Sequence, residues 1–242
     1  MRIELNCDAG ESYGAWQMGQ DERLIPLVSA VNIACGAHAG DPVTIERTIA
    51  LTLAAGAAIG AHPGYPDRGG FGRRDLSMSA AELEASLLFQ ISAVLGMVRA
   101  AGGNLRHVKA HGALYNAASR DASLAESIVR AVRRVSSGLV LVGPPASALL
   151  AAAEAGGLAT QAEGFADRAY ERDGSLRSRR LAGALLEDPA VAAAQAVALA
   201  ASGRYATLCV HGDTPGAPDI VCAVRAALVA AGHEVPGGAG TR

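Results

Sequence analysis

Short apolar runs alternate along this chain with longer stretches in which apolar residues recur at helical spacing. Seven short runs stand out: RIELNC near residue 2, AVNIAC near 30, AAIGAH near 57, LRHVKAH near 105, LVLVG near 139, LATQAEG near 158 and YATLCVH near 205. Their length and β-branched content predict strands. The longer stretches predict helices with marked ends. DPVTIERTIALTLAAG offers Asp41 as N-cap, Pro42 at the first helical position and Gly56 just past the end. SMSAAELEASLLFQISAVLGMVRAAGG opens on Ser79 and Glu82, a capping box, and closes at Gly102. EDPAVAAAQAVALAASG repeats the Asp-Pro start at Asp188 and Pro189. Strand, loop and helix repeated in this way predict a parallel sheet. No linker interrupts the pattern, so one domain is expected over residues 1–242, with the tail GGAGTR frayed.

A parallel α/β chain forms either an open sheet or a closed barrel, and the polar residues favour the barrel. They fall at the C-terminal ends of the predicted strands: Asn6, Asp8 and Glu11 after the first, His38 and Asp41 after the second, His62 after the third. Lys109 and His111 follow on the fourth, Glu163, Asp167 and Arg168 on the sixth, His211 and Asp213 on the seventh. One switch point of an open sheet cannot gather so many strand ends, whereas a barrel mouth does. The expected fold is therefore a seven-stranded parallel β/α barrel.

Composition narrows the function. A net charge of -2 gives no support to nucleic-acid binding. No apolar run is expected to reach membrane-spanning length. Cys7, Cys35, Cys209 and Cys222 form no CxxC pair and read as reduced, mostly buried thiols of a cytoplasmic protein. The 21 basic residues include a single lysine, Lys109. It lies two residues before His111 on one strand, so both side chains share a face, as does His107. An amine in a crowded site can give up its proton and act as a base, or stay charged and hold an oxyanion. A purely structural pairing with Asp8 or Glu163 is the alternative.

His38, His62, His111 and His211 share one local grammar, an apolar strand, then histidine, then glycine or proline within two residues. Asp8 and Glu11 flank a glycine and suit acid/base work, while Asp8, His38 and His62 could together hold a divalent metal. The loop PDRGGFGRR places Arg73 and Arg74 where they could meet a carboxylate or phosphate. No Walker A or GxSxG motif is present.

Taken together, NCDAGESYGAW, NIACGAHAGDP, GAHPGYPDRGGFGRR, HVKAHGALYN, FADRAYERDG and CVHGD resemble the LamB/YcsF family. The resemblance implies a barrel of the glycoside hydrolase/deacetylase type and the activity of a 5-oxoprolinase A subunit. That activity is ATP-dependent opening of 5-oxoproline to L-glutamate with partner subunits B and C. It also implies a polar core of Asp8, Glu11, His38, His62, Lys109, His111 and Asp213; an arginine of the 68–74 loop, Arg73 foremost, is expected to hold the substrate carboxylate. Ala110 stands where the family commonly has proline, and SRRLAGALL matches only loosely. Metal-dependent deacetylation and a non-catalytic lactam-binding role are the rival expectations.

Overall fold

A computed structural model describes residues 1–179 and 181–237. The tail expected to fray, from residue 238 onward, lies outside them. The seven predicted strands all form: β1 Glu4–Ala9, β2 Ala30–Ala34, β3 Ala58–His62, β4 Leu105–Lys109, β5 Val140–Gly143, β6 Ala159–Phe165 and β7 Thr207–His211. They pair in chain order, all parallel, and β7 closes on β1, so the sheet is a closed barrel.

The helices start and stop where the sequence signals lie. α1 is the short Asp21–Leu24. α2, Pro42–Ala55, is capped by Asp41 accepting from the Thr44 N–H, and left-handed Gly56 ends it. α3, Ala80–Ala100, carries the full Ser79/Glu82 capping box. α4 (Gly112–Ala118), α5 (Ala122–Val135) and α6 (Ala148–Ala155) follow. Asp188 caps α7, Pro189–Ala201, and α8 is Ala217–Ala230. One expectation needs correction. By length and composition α3 is apolar enough to cross a membrane. Its Leu83, Leu87, Ile91, Val94 and Val98 are buried, because α3 packs on β3, β4 and α5.

Strand alternation sorts the side chains into two shells. Leu5, Cys7, Val31, Ile33, Val108, Leu141, Leu208 and Val210 turn outward and join the helices in one buried apolar core. Many of the inward positions are polar and stacked in layers. Arg106 and Gln161 meet Glu4 at the floor, with Arg106 bidentate to Glu4 at 2.9 and 2.7 Å and Gln161 Nε2 donating to it at 2.9 Å. Above them His107 Nε2 donates to Asn32 Oδ1 at 2.7 Å, and Asn32 Nδ2 donates to Asn6 Oδ1 and Asp8 Oδ1, each at 2.8 Å. Arg106 reaches the floor because the β3–β4 register shifts: Ile59 faces Leu105 but Gly60 faces His107, leaving Arg106 as the extra residue of a bulge.

Candidate active site

Register sets the height of the reactive groups. Asp8 is opposite Asn32 on one side and His211 on the other, so all three reach the barrel's C-terminal mouth. Lys109 extends from β4 into the centre of that layer. Its Nζ lies 3.0 Å from Asp8 Oδ1, 2.9 Å from Glu163 Oε1 and 3.2 Å from Cys209 Sγ. Burial works against the ammonium, but Asp8, Cys209 and Glu163 outweigh it and hold its pKa well above the ordinary lysine value. Lys109 is thus a fixed cation, and of the two roles open to a buried amine the structure favours the charged one. The carboxylate pairing raised as a structural alternative is present as well, with both partners at once. Tyr115, on α4, donates its hydroxyl to Glu163 Oε2 at 3.0 Å.

The two first-loop carboxylates differ. Asp8 is buried, yet His62 and Lys109 hold its pKa well below the ordinary range. Glu11 is buried too, and burial, Asp8 and Asp213 push its carboxyl well above the usual range. The end of β1 and the loop after it therefore present two carboxyl groups whose pKa values are pushed apart, the separation that acid/base chemistry uses.

Three histidines pack beside them. His62 Nδ1 donates to the Lys109 carbonyl at 2.7 Å, and His111 Nε2 donates to the Phe71 carbonyl at 2.8 Å. Their other nitrogens face each other at 3.1 Å, a contact that closes as a hydrogen bond only when the pair holds one extra proton. Asp8 Oδ2 lies 3.4 Å from His62 Nε2. His38 stacks on His111 with ring centroids 3.8 Å apart. Gly72, at φ 63°, leaves room for the stack, since a Cβ there would lie 2.8 Å from His38 Cβ and 2.9 Å from His111 Cδ2.

The fourth histidine stands apart on the far side of Asp8. His211 Nδ1 faces Asp167 at 3.0 and 3.1 Å, Phe165 stacks on its ring, and Nε2 points 4.0 Å from Asp8 Oδ2. Burial opposes charge on Asp167, but His211 and Thr214 hold its pKa below the ordinary value. A histidine oriented by a buried carboxylate in this way can pass a proton from its free nitrogen.

Among the described residues, two groups offer three metal-ligand atoms within 4.8 Å of one another, and neither is the Asp8, His38 and His62 set expected from sequence. In Asp8, Cys209 and His211 the Lys109 ammonium already contacts Asp8 and Cys209, so a further cation fits poorly. Glu11, His38 and His111 fit better: both ring nitrogens of His38 are buried without a hydrogen-bond partner among the described residues, and the mixed N/O set suits a borderline divalent ion.

Asp8, His62, Lys109, His111, Glu163 and His211 floor a cavity of about 930 Å³ whose wall includes Arg73, Arg168 and Arg179. Arg73 bonds Asp213 Oδ2 at 2.6 Å, whereas Arg74 pairs with Asp67 at the rim. Asn32, Tyr115, Phe165 and Arg179 belong to the site although the sequence reading passed over them. Only Asn32, a polar residue inside an otherwise apolar strand, carried a legible signal.

The LamB/YcsF family profile matches residues 3–240. The chain belongs to the LamB/YcsF family. This LamB/YcsF chain is 50% identical to the 5-oxoprolinase A subunit of Chloroflexus aggregans over 97% of its own length and 98% of the relative's. It superposes on the lactam utilization protein from Thermus thermophilus with TM-score 0.91 at 43% identity, covering 97% and 99% of the two chains. A family 4 carbohydrate esterase from Streptomyces lividans shares the fold, with TM-score 0.53 at 11% identity over 97% of this chain and 91% of the esterase.

Proposed function

We propose that this chain is the A subunit of an ATP-dependent 5-oxoprolinase, which with partner subunits B and C opens 5-oxoproline to L-glutamate. Near-full-length similarity to a 5-oxoprolinase A subunit carries the reading. The site gives it a chemistry. A five-membered lactam is a poor electrophile, and ATP overcomes this by transferring its γ-phosphoryl group to the carbonyl oxygen, releasing ADP. Water then adds to the activated carbon while Glu11, whose raised pKa makes its carboxylate a stronger base than an exposed one, takes its proton. The ring C–N bond breaks as the nitrogen receives a proton from His211, leaving an acyl phosphate that a second water converts to glutamate and phosphate. Lys109, permanently charged, stabilises the oxygen on which negative charge develops. Asp8 keeps Lys109 and His62 in place.

The test is L-glutamate released from 5-oxoproline, with and without ATP, by the chain alone and mixed with B and C. Release that needs ATP and the assembled mixture supports the proposal; an assembled mixture that releases none removes it.

The partnerless nitrogens of His38 favour a second reading, metal-dependent amide or sugar deacetylation. A divalent ion on Glu11, His38 and His111 would supply Lewis-acid polarisation of a carbonyl. That reading requires activity without ATP that is lost on chelation.

A further inference from the structure

The arginines around this cavity outnumber the acids that face them. Arg73, on the loop after β3, and Arg179, in the segment between β6 and α7, converge on Asp213: Arg73 at 2.6 Å, Arg179 at 3.2 and 3.4 Å. Arg168 is buried beside them, anchored through Nε on the Ala184 carbonyl and through Nη2 on that of Arg177. The next acid, Asp167, is committed to His211 and Thr214. Glu11 lies 3.9 Å from His111 Nδ1 and forms no ion pair with these arginines among the described residues.

Among the described residues, three guanidinium charges thus meet one free carboxylate, an excess of two. The crowding is felt at Arg168, whose pKa burial, Arg179 and Arg73 bring down to about 10. Arg179 Nη2 is buried with no hydrogen-bond partner among the described residues, a donor left for an incoming acceptor. All three arginines line the cavity that reaches down to Lys109 and His111.

We infer that Arg73, Arg168 and Arg179 form an oxyanion subsite for a doubly charged phosphate group, with Asp213 spacing the arginines until that group enters. A dianion matches the excess of two, and guanidinium forks suit phosphate oxygens. A lone carboxylate would leave one positive charge uncompensated, which moves Arg73 from the substrate-carboxylate role expected of it to a phosphate role. The inference rests on the oxoprolinase reading only for the source of the phosphate, a nucleotide or the phosphorylated lactam.

Inorganic phosphate titrated calorimetrically into the full chain at low salt tests it. Arg179→Gln should weaken phosphate binding about tenfold or more. Asp213→Asn should tighten it about threefold, because the competing carboxylate is gone. No misfolded variant would show that second effect. Arg74→Gln, whose guanidinium is already paired with Asp67, should change it less than about twofold. Acetate should bind at least about tenfold more weakly than phosphate. Phosphate affinity unmoved by Arg179→Gln and Asp213→Asn, or acetate matching phosphate, overturns the subsite. Displacement of phosphate by ATP assigns the group to the nucleotide, and co-binding of the two assigns it to the activated substrate; both uphold the subsite. Phosphate binding with this pattern, joined to no turnover in the assembled complex, keeps the subsite and removes the oxoprolinase reading. Turnover without phosphate binding does the reverse.

Discussion

Lys109 is where one residue's chemistry is most exposed to test. In a chain with 20 arginines and one lysine, the amine sits 2% exposed with Asp8, Glu163, Cys209 and Asn6 within reach of a single nitrogen. A guanidinium spreads its donors over a plane and cannot converge on that point. Lys109→Arg should therefore keep the fold by circular dichroism and lower kcat in the assembled enzyme by roughly a thousandfold. Near-normal turnover would remove the role assigned here. Lys109→Met makes a different prediction, because it strands two buried carboxylates. It should lose about 3–5 kcal/mol in urea unfolding, and a smaller loss would mean that water or protonation relieves Asp8 and Glu163. The sequence singled this lysine out by rarity and by its strand partner His111. It could not show that the amine would stay charged, since that depends on two carboxylates 101 and 54 residues away in the chain.

Single elements were legible where local signals determine them and opaque where register does. Asp41, Ser79 and Asp188 cap their helices because each side chain meets a free N–H within its own turn. The bulge in β4 has no such local signature, so LRHVKAH predicted a strand without revealing that Arg106 drops to the floor. The bulge brings His107 over Gly60: a Cβ on residue 60 would lie 2.1 Å from His107 Nε2. Gly60→Ala should cost about 3 kcal/mol or more, and much less in a background of His107→Ala, a coupling that a double-mutant cycle measures. His107 also sets an acid limit. Burial, followed by Arg106, brings its pKa down to about 3, so the folded ring stays neutral while the unfolded one takes a proton below about 6.5. Its contribution is complete above that pH and falls as pH drops toward 3, on the order of 5 kcal/mol across the window. His107→Gln should flatten the slope of unfolding free energy between pH 6.5 and 3 relative to the parent chain; parallel slopes would show that another group sets it.

At the scale of the whole barrel, chemistry and stability occupy opposite ends. The mouth carries Asp8, Glu11, Lys109, four histidines and the arginine wall, all delivered by the C-terminal ends of the strands or the segments that follow them. The floor carries Glu4, Arg106 and Gln161, tied to each other and remote from the cavity. Glu4 is partly buried, which raises its pKa, but Arg106 and Gln161 more than reverse that and leave it a carboxylate. The closed fold was legible because polar residues ended so many strands, and only closure gathers such ends. The division of labour along the barrel axis was not, since Glu4 and Asp8 lie on one strand and face the same interior. Arg106→Ala tests the division directly. It leaves Glu4 facing the barrel with Gln161 as its one side-chain partner among the described residues, which should cost roughly 1–3 kcal/mol once the 36% exposure of the arginine side chain is allowed for. The same variant should bind phosphate at the mouth within about twofold of the parent chain, because no described floor residue touches the cavity wall. A stability loss joined to an equal loss of phosphate binding would mean that the barrel transmits strain along its axis, and that the mouth depends on the floor for its shape.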